Sequence, residues 1–429
     1  MTATPPGSDP NGVSDLAARL LTPEAPAEVQ AATLQPAYPQ LAQPVPRRSG
    51  LLVLGIIGFV VAGIAVLLVV VYFLSFLGPG LTFIGGILAL IPLAIALLGV
   101  RWIDRWEPEP FGILLFAFFW GAGVSIILAL TVDAAAQFAL ASRGERNGAT
   151  EVLQSVVQAP IVEESAKGLG VLLIFLVARK FFDGPVDGIV YAATVAVGFA
   201  FSENIQYFGI QIAQEGGFDG SVAEIFFIRG LLSPFAHVMF TSMTGVFIGI
   251  AARQSSRLLG VGLFFVGLIP AILLHALWNG ALSIVYDFYG YYALVQVPLF
   301  TIAVVGVVLL RRREVRLTQL RLGEYAAAGW FNAAEIQSLA TPVGRRRSLA
   351  WAKANGQGRL MRSYIRDVTR LAFTRNRIVT QRTSRSRSQA DEAALLGTIT
   401  AERSRLAAAL AYAPVVGGTG GQAPRSSRW

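Results

Sequence analysis

The sequence predicts an all-α, polytopic transmembrane helix bundle of about eight spans, and three observations predict it. Of the 429 residues, 54% are hydrophobic and 14% charged, against roughly 25% charged in soluble domains. The apolar residues gather into blocks long enough to cross a bilayer, which takes about 20 consecutive residues. The ionisable residues inside those blocks are few and concentrated in the middle of the chain. The absence of cysteine excludes disulfides and thiolate metal sites.

Residues 1–50 form a Pro/Ala-rich polar segment in which disorder is expected. The first apolar block starts only after Arg47-Arg48, so no cleavable signal peptide is expected. Spans are expected at about 51–77, 81–100, 112–133, 152–178, 186–208, 229–252, 258–283 and 293–310, giving a transmembrane domain over 51–310. Lys and Arg mark the cytoplasmic connections of such proteins. Here Arg101 and Arg105, Arg179 and Lys180, Arg253 and Arg257, and Arg311 to Arg313 fall on alternate connections. Glu215, Asp219, Glu224 and Asp287 mark the opposite ones, and only Arg143 and Arg146 depart from the alternation. Both termini are therefore expected on the cytoplasmic side of the cell (plasma) membrane.

Residues 311–429 form a basic tail with 22 Lys and Arg against 7 Asp and Glu, a net of +15 that leaves −6 for residues 1–310. Helical stretches are expected at 359–373 and 391–412, and disorder from about 413. A tail of this charge is expected to meet anionic lipid or an acidic protein. It carries no nucleic-acid-binding motif, so no nucleic acid is expected.

A charged group at the bilayer centre costs at least about 2.5–3.5 kcal/mol on insertion scales, so such residues usually have a function. Span 4 carries Glu163, Glu164 and Lys167; span 5, Glu203 and Asn204; span 6, His237; span 7, His275 and Asn279. The two histidines are the only ones in the chain. Counted from the outer ends of their spans, Glu163, His237, His275 and Glu203 lie about 5–11 positions in, or roughly 7–17 Å deep at 1.5 Å per residue. Four consecutive helices thus bring polar groups to one layer. Glu163 and Lys167, at i and i+4, share a helix face, where the ammonium offsets a carboxylate. Glu164 points about 100° away and is free for another partner. His275 and Asn279 are also i, i+4. Ala192, Ala196, Gly198 and Ala200 in span 5 would let neighbouring helices approach closely.

These residue types suit peptide hydrolysis. A buried glutamate can act as general base on a water. Two imidazoles and a carboxylate, here His237, His275 and Glu203, can hold Zn2+ with one position left for water. Without a metal, His and Asn side chains could donate to the oxyanion. The residues fit both schemes, and the sequence does not choose. There is no His-Glu-x-x-His, Gly-x-Ser-Gly or Gly-x-Gly-Asp run. Plainer roles also exist. Lys167 is explained by charge compensation, Asp187 by an N-cap on span 5, and Arg229 by an interfacial position.

The series Glu163-Glu164-x-x-Lys167, Phe199-x-x-x-Glu203 and a later intramembrane histidine resembles the PrsW family of intramembrane proteases, grouped with the CAAX-processing and bacteriocin-processing membrane proteases. Asp104-Arg105-Trp106-Glu107-Pro108-Glu109-Pro110 and Asp187-Gly188-Ile189-Val190-Tyr191 look like further family features, so the resemblance covers roughly residues 100–285. It implies a catalytic pair, Glu163 and Glu164, with Glu203, His237 and His275 as further site residues and Lys167 and Asn204 in support. The family's His-x-x-x-Asp is His275-x-x-x-Asn279 here; Asn is a poor metal ligand but can donate to an oxyanion. The implied substrate is a membrane-anchored protein such as an anti-sigma factor, cut on its outer side. The rival classes are a proton- or ion-coupled transporter, since Asp/Glu/His chains also relay protons, and a catalytically inactive membrane scaffold.

Overall fold

The computed structural model describes residues 49–254, 256–380 and 385–411. All but the last two residues of the expected disordered segment 1–50 lie outside them, as does the end from about 413. Every regular element among the described residues is helical. Seven helices are long and apolar enough to cross a membrane: Val53–Phe76, Gly78–Ile103, Phe111–Arg143, Pro185–Glu215, Gly220–Ala252, Arg257–Ile284 and Phe288–Ala327. The remaining expected span, the fourth at 152–178, coincides with a helix over Ala159–Val177. Its three charged residues, Glu163, Glu164 and Lys167, set it apart from the seven.

The described residues form two compact units, one including 49–254, 256–317 and 377–380, the other including 318–376 and 385–411. In the first, α1 (Ser49–Phe76) and α2 (Gly78–Ile103) lead to α3 (Phe111–Arg143). Next come α4 (Ala159–Val177), entered through a π-turn at Gln154–Gln158, and α5 (Pro185–Glu215). The short α6 (Gly220–Phe226) runs into another π-turn, Phe227–Leu232, before α7 (Ala236–Ala252) and α8 (Arg257–Ile284). The last membrane helix, α9 (Val297–Ala327), follows.

The innermost helix is α5, buried along nearly all its length and packed on α2, α3 and α7. Small residues make this possible, as the composition of span 5 predicts. A Cβ on Gly188 of α5 would stand 2.0 Å from the carbonyl oxygen of Gly245 in α7, and one on Gly198 would stand 2.1 Å from that of Phe118 in α3. Without competing side chains the backbones close to contact, and van der Waals packing replaces the hydrophobic effect that lipid cannot supply.

The start of α5 differs from the expectation in one detail. Gly184 is the N-cap, and Asp187 sits at the third helical position. Its carboxylate reaches back to accept the N–H groups of Asp183 (2.5 Å) and Gly184 (3.0 Å), which are otherwise orphaned at a helix start. The 104–110 connection braces the same end. Asp104 Oδ1 accepts the Glu109 N–H at 2.9 Å, and the Tyr191 hydroxyl donates to the Glu109 carboxylate. Burial pushes the Asp104 carboxyl up to about 6 and raises Glu109 well above the usual range, with the nearby Asp187 adding to the latter.

In the second unit, α10 (Ala333–Leu339), α11 (Pro342–Ala354), α12 (Gly358–Val379) and α13 (Arg385–Ala411) enclose a core with Leu322 and Tyr325 from the end of α9. Both helical stretches expected in the tail fall within α12 and α13. Along α12, Met361, Tyr364, Ile365, Val368 and Leu371 are buried, whereas Arg362, Arg366 and Arg370 are exposed at i, i+4 spacing.

The Gly188–Gly245 contact yields a direct test. Gly188→Leu should force α5 and α7 apart at an overpacking cost of at least about 1–3 kcal/mol, lowering the thermal midpoint in detergent. Gly86→Leu, where a Cβ meets nothing within 4 Å, should leave the midpoint nearly unchanged. Equal midpoints for the two variants would contradict the contact.

Candidate active site

The site is assembled by α4, α5, the π-turn before α7, α7 and α8. On α4, Lys167 lies one turn beyond Glu163 and Glu164 and is wholly buried, as is Glu164. Its ammonium donates to Glu164 Oε1 at 2.7 Å and to Glu163 Oε2 at 3.2 Å. It also lies 3.2 Å from His237 Nδ1 on α7 and 3.9 Å from the Phe199 ring centroid on α5. Glu163 and Lys167 thus share a face as their spacing predicts. Glu164 meets Lys167 as well, because a lysine side chain spans i to i−3 as readily as i to i−4.

Each histidine gives one ring nitrogen to a carboxylate. His275 Nδ1 lies 3.0 Å from Glu164 Oε1, and His237 Nε2 lies 2.9 Å from Glu203 Oε2. A neutral imidazole has one N–H and one lone pair, so each carboxylate fixes the tautomer by taking the N–H. The nitrogens left over are acceptors, His237 Nδ1 facing Lys167 and His275 Nε2 facing Glu163 Oε2 at 3.9 Å. The rings stand 5.1 Å apart, nearly perpendicular, with Phe240 stacked on His275. Thr241 donates to Glu164 Oε2 at 2.7 Å. Both oxygens of Glu164 are therefore engaged, and Glu163 is the carboxylate left facing the histidines.

The expected site residues Glu163, Glu164, Lys167, Glu203, His237 and His275 come together. Asn204 joins through Arg229, whose Nε donates to its Oδ1 at 3.2 Å. Asn279 is differently used: its Nδ2 donates to the Ser155 carbonyl at 2.8 Å, tying α8 to the turn before α4. The expected metal set also changes by one member. The ligand atoms of Glu163, His237 and His275 lie within 4.8 Å of one another, whereas Glu203 Oε2 is taken by His237 and by Arg229 at 2.6 Å. Arg229, expected at the interface, reaches the cluster through Glu203 and Asn204, with its side chain 13% exposed. Arg229 and Thr241 both escaped the sequence reading. Thr241 had a signal, since it follows His237 by four residues on the same helix face; Arg229 had none.

The donor chemistry fits a divalent cation. His275 Nε2 and Glu163 Oε2 face each other at 3.9 Å, a lone pair and an anionic oxygen of the kind that a divalent cation takes as ligands. With ionised side chains and neutral imidazoles, Glu163, Glu164 and Glu203 outnumber Lys167 and Arg229 by one charge. Each histidine already has the carboxylate partner that commonly orients a metal-bound imidazole.

Residues 109–311 match the model of the PrsW family intramembrane metalloprotease. The chain is similar to Protease PrsW of Clostridioides difficile (strain 630), 30% identical over 204 residues that cover 47% of this chain and 79% of that protein. It is also similar to Protease PrsW of Geobacillus kaustophilus (strain HTA426), 31% identical over 37% of this chain and 62% of the relative, and to Protease PrsW of Bacillus subtilis (strain 168), 30% identical over 44% and 78%. No solved structure matches. With the ordered motif residues gathered in one buried cluster and the matched region containing all of them, the chain belongs to the PrsW family of intramembrane proteases.

Proposed function

We propose that the chain hydrolyses a peptide bond of a membrane-anchored protein, an anti-sigma factor or similar regulator, with Glu163 as the base that takes the proton of the attacking water. The observation that carries this reading is the division of labour among the three glutamates. Glu164 and Glu203 are committed to orienting His275 and His237, and Glu163 alone faces the nitrogen that His275 has left free. Its burial among apolar helices excludes bulk water, so a proton taken there can be passed to the leaving amine instead of being lost.

Glu163, His237 and His275 would hold zinc once the Lys167 ammonium gave up His237 Nδ1, and the ion would supply Lewis-acid polarisation of the scissile carbonyl and acidify a water. A carboxylate has two oxygens, so Glu163 can offer one as ligand and keep the other for the proton. A second, metal-free reading has Lys167 in its favour. Its ammonium, 3.2 Å from both Glu163 and His237, is a fixed positive charge beside the position where an oxyanion would form.

The placement of Lys and Arg along the chain supports cytoplasmic termini, a plasma-membrane location and a site in the outer half of the bilayer. The exposed arginines of α12 support contact of the tail with anionic lipid or an acidic protein.

Two measurements test the proposal. Purified protein in liposomes should cleave a single-span reporter, and Glu163→Gln should lower the rate at least about 10²-fold, the usual scale of general-base loss; cleavage at the wild-type rate would overturn the assignment. Elemental analysis should give close to one zinc per chain, falling in His275→Ala. Full activity with zinc far below one per chain would select the Lys167 reading.

A further inference from the structure

Arg229 is the one charged residue of the cluster with no place in the proposed chemistry. It sits in the π-turn Phe227–Leu232. A π-turn takes in one extra residue and swings the positions around it by about 100° relative to a regular helix. Its guanidinium makes three contacts on α5. Nη2 donates to Glu203 Oε2 at 2.6 Å, Nε donates to Asn204 Oδ1 at 3.2 Å, and the group lies 3.7 Å from the Tyr207 ring centroid. Arg229 and Glu203 are each less than 15% exposed, so the pair is mostly withdrawn from screening solvent.

The oxygen that Arg229 grips, Glu203 Oε2, is also the oxygen that receives His237 Nε2 at 2.9 Å. A carboxylate rotates about its terminal torsion with little preference, and one oxygen held by a single imidazole would let the pair turn together. The guanidinium, clamped on Asn204 and Tyr207, removes that freedom. With Glu203 fixed and ionised, His237 must keep its proton on Nε2 and point Nδ1 at Lys167 and the reaction centre. The same arginine lines a small pocket with His237, Phe201, Ser233 and Trp278, so a direct role in binding substrate is the competing account.

We propose that Arg229 is a positioning residue that sets the tautomer and orientation of His237 through Glu203 Oε2, and that it does not bind the substrate. The proposal rests on the reading of His237 as a site residue, and it extends that reading to a group outside the ordered motifs.

The test uses the full chain in liposomes with the single-span reporter cleaved by the wild type. Arg229→Gln should lower kcat by about 10–100-fold, the usual effect of losing a partner that orients an active imidazole, with KM changed less than about two-fold. Arg229→Lys, which keeps the charge but loses the fork, should recover part of that loss. In a Glu203→Gln background, Arg229→Gln should cost little more, because the two act in series. A rise in KM with kcat preserved, or independent losses that multiply, would overturn the proposal.

A second readout needs no activity. The chain has two histidines, so 15N-histidine labelling gives two sets of ring signals. Arg229→Gln should move those of His237 and leave those of His275 in place; unmoved His237 signals would overturn the proposal. If Arg229→Gln fails to fold, both sets collapse, and Arg229→Lys carries the same test. If the wild type cleaves no reporter, the protease reading fails while the ring signals still decide the role of Arg229.

Discussion

A lysine buried among apolar helices has to be neutralised, and the rest of this site is organised around that requirement. Lys167 is fully enclosed, where removal of one partner from a buried ion pair costs about 3–5 kcal/mol. Its three N–H groups meet Glu164, Glu163 and the Nδ1 of His237. Because each of those groups has further partners, the constraint spreads outward. Glu164 fixes His275 and draws the Thr241 hydroxyl; His237 recruits Glu203, and Glu203 recruits Arg229. Four helices are thus tied to one ammonium through hydrogen bonds that would be weak in water and are strong in a low dielectric.

The scaffold meets this polar demand with small residues. Helices can bring short polar side chains within hydrogen-bond range only if their backbones come close, and the glycines of α5, α7 and α3 allow it. Their contacts lie along α5, the helix that also carries Glu203 and Asn204. Aromatic rings, Phe199 against Lys167 and Phe240 against His275, fill the space between the polar groups and limit the water that can reach them. Two carboxylates orient two imidazoles, and the third, Glu163, is left less constrained, as a proton-accepting group must be.

Much of this was legible in the sequence because ionisable residues stand out in apolar blocks. Counting residues into spans pointed to a meeting of Glu163, Glu203, His237 and His275, and helical spacing to the Glu163–Lys167 contact. What the sequence could not convey was side-chain choice among near neighbours. Glu163 and Glu203 are both intramembrane glutamates in the sequence, and only three-dimensional packing decides that Glu163 faces both histidines while Glu203 is turned to Arg229. Arg229 itself reads as an interfacial arginine, since π-turns leave no pattern in the residues and a snorkelling arginine looks the same. The i, i+4 spacing of His275 and Asn279 suggested a shared target, but the Ser155 carbonyl at the kinked start of the α4 segment claims Asn279. In the tail, the apolar period of α12 gave the helix but not the separate core it helps to build.

The central claim, that Lys167 and its carboxylates form one interdependent unit, is tested most directly by a double-mutant cycle on stability. Equilibrium unfolding in mixed micelles would be compared for the wild type, Lys167→Met, Glu164→Gln and the double variant. The account predicts that the two losses are coupled by about 1–3 kcal/mol, the double variant being more stable than the sum of the single effects requires, because removing both partners leaves fewer uncompensated buried charges. Losses that add within about 0.5 kcal/mol would contradict it.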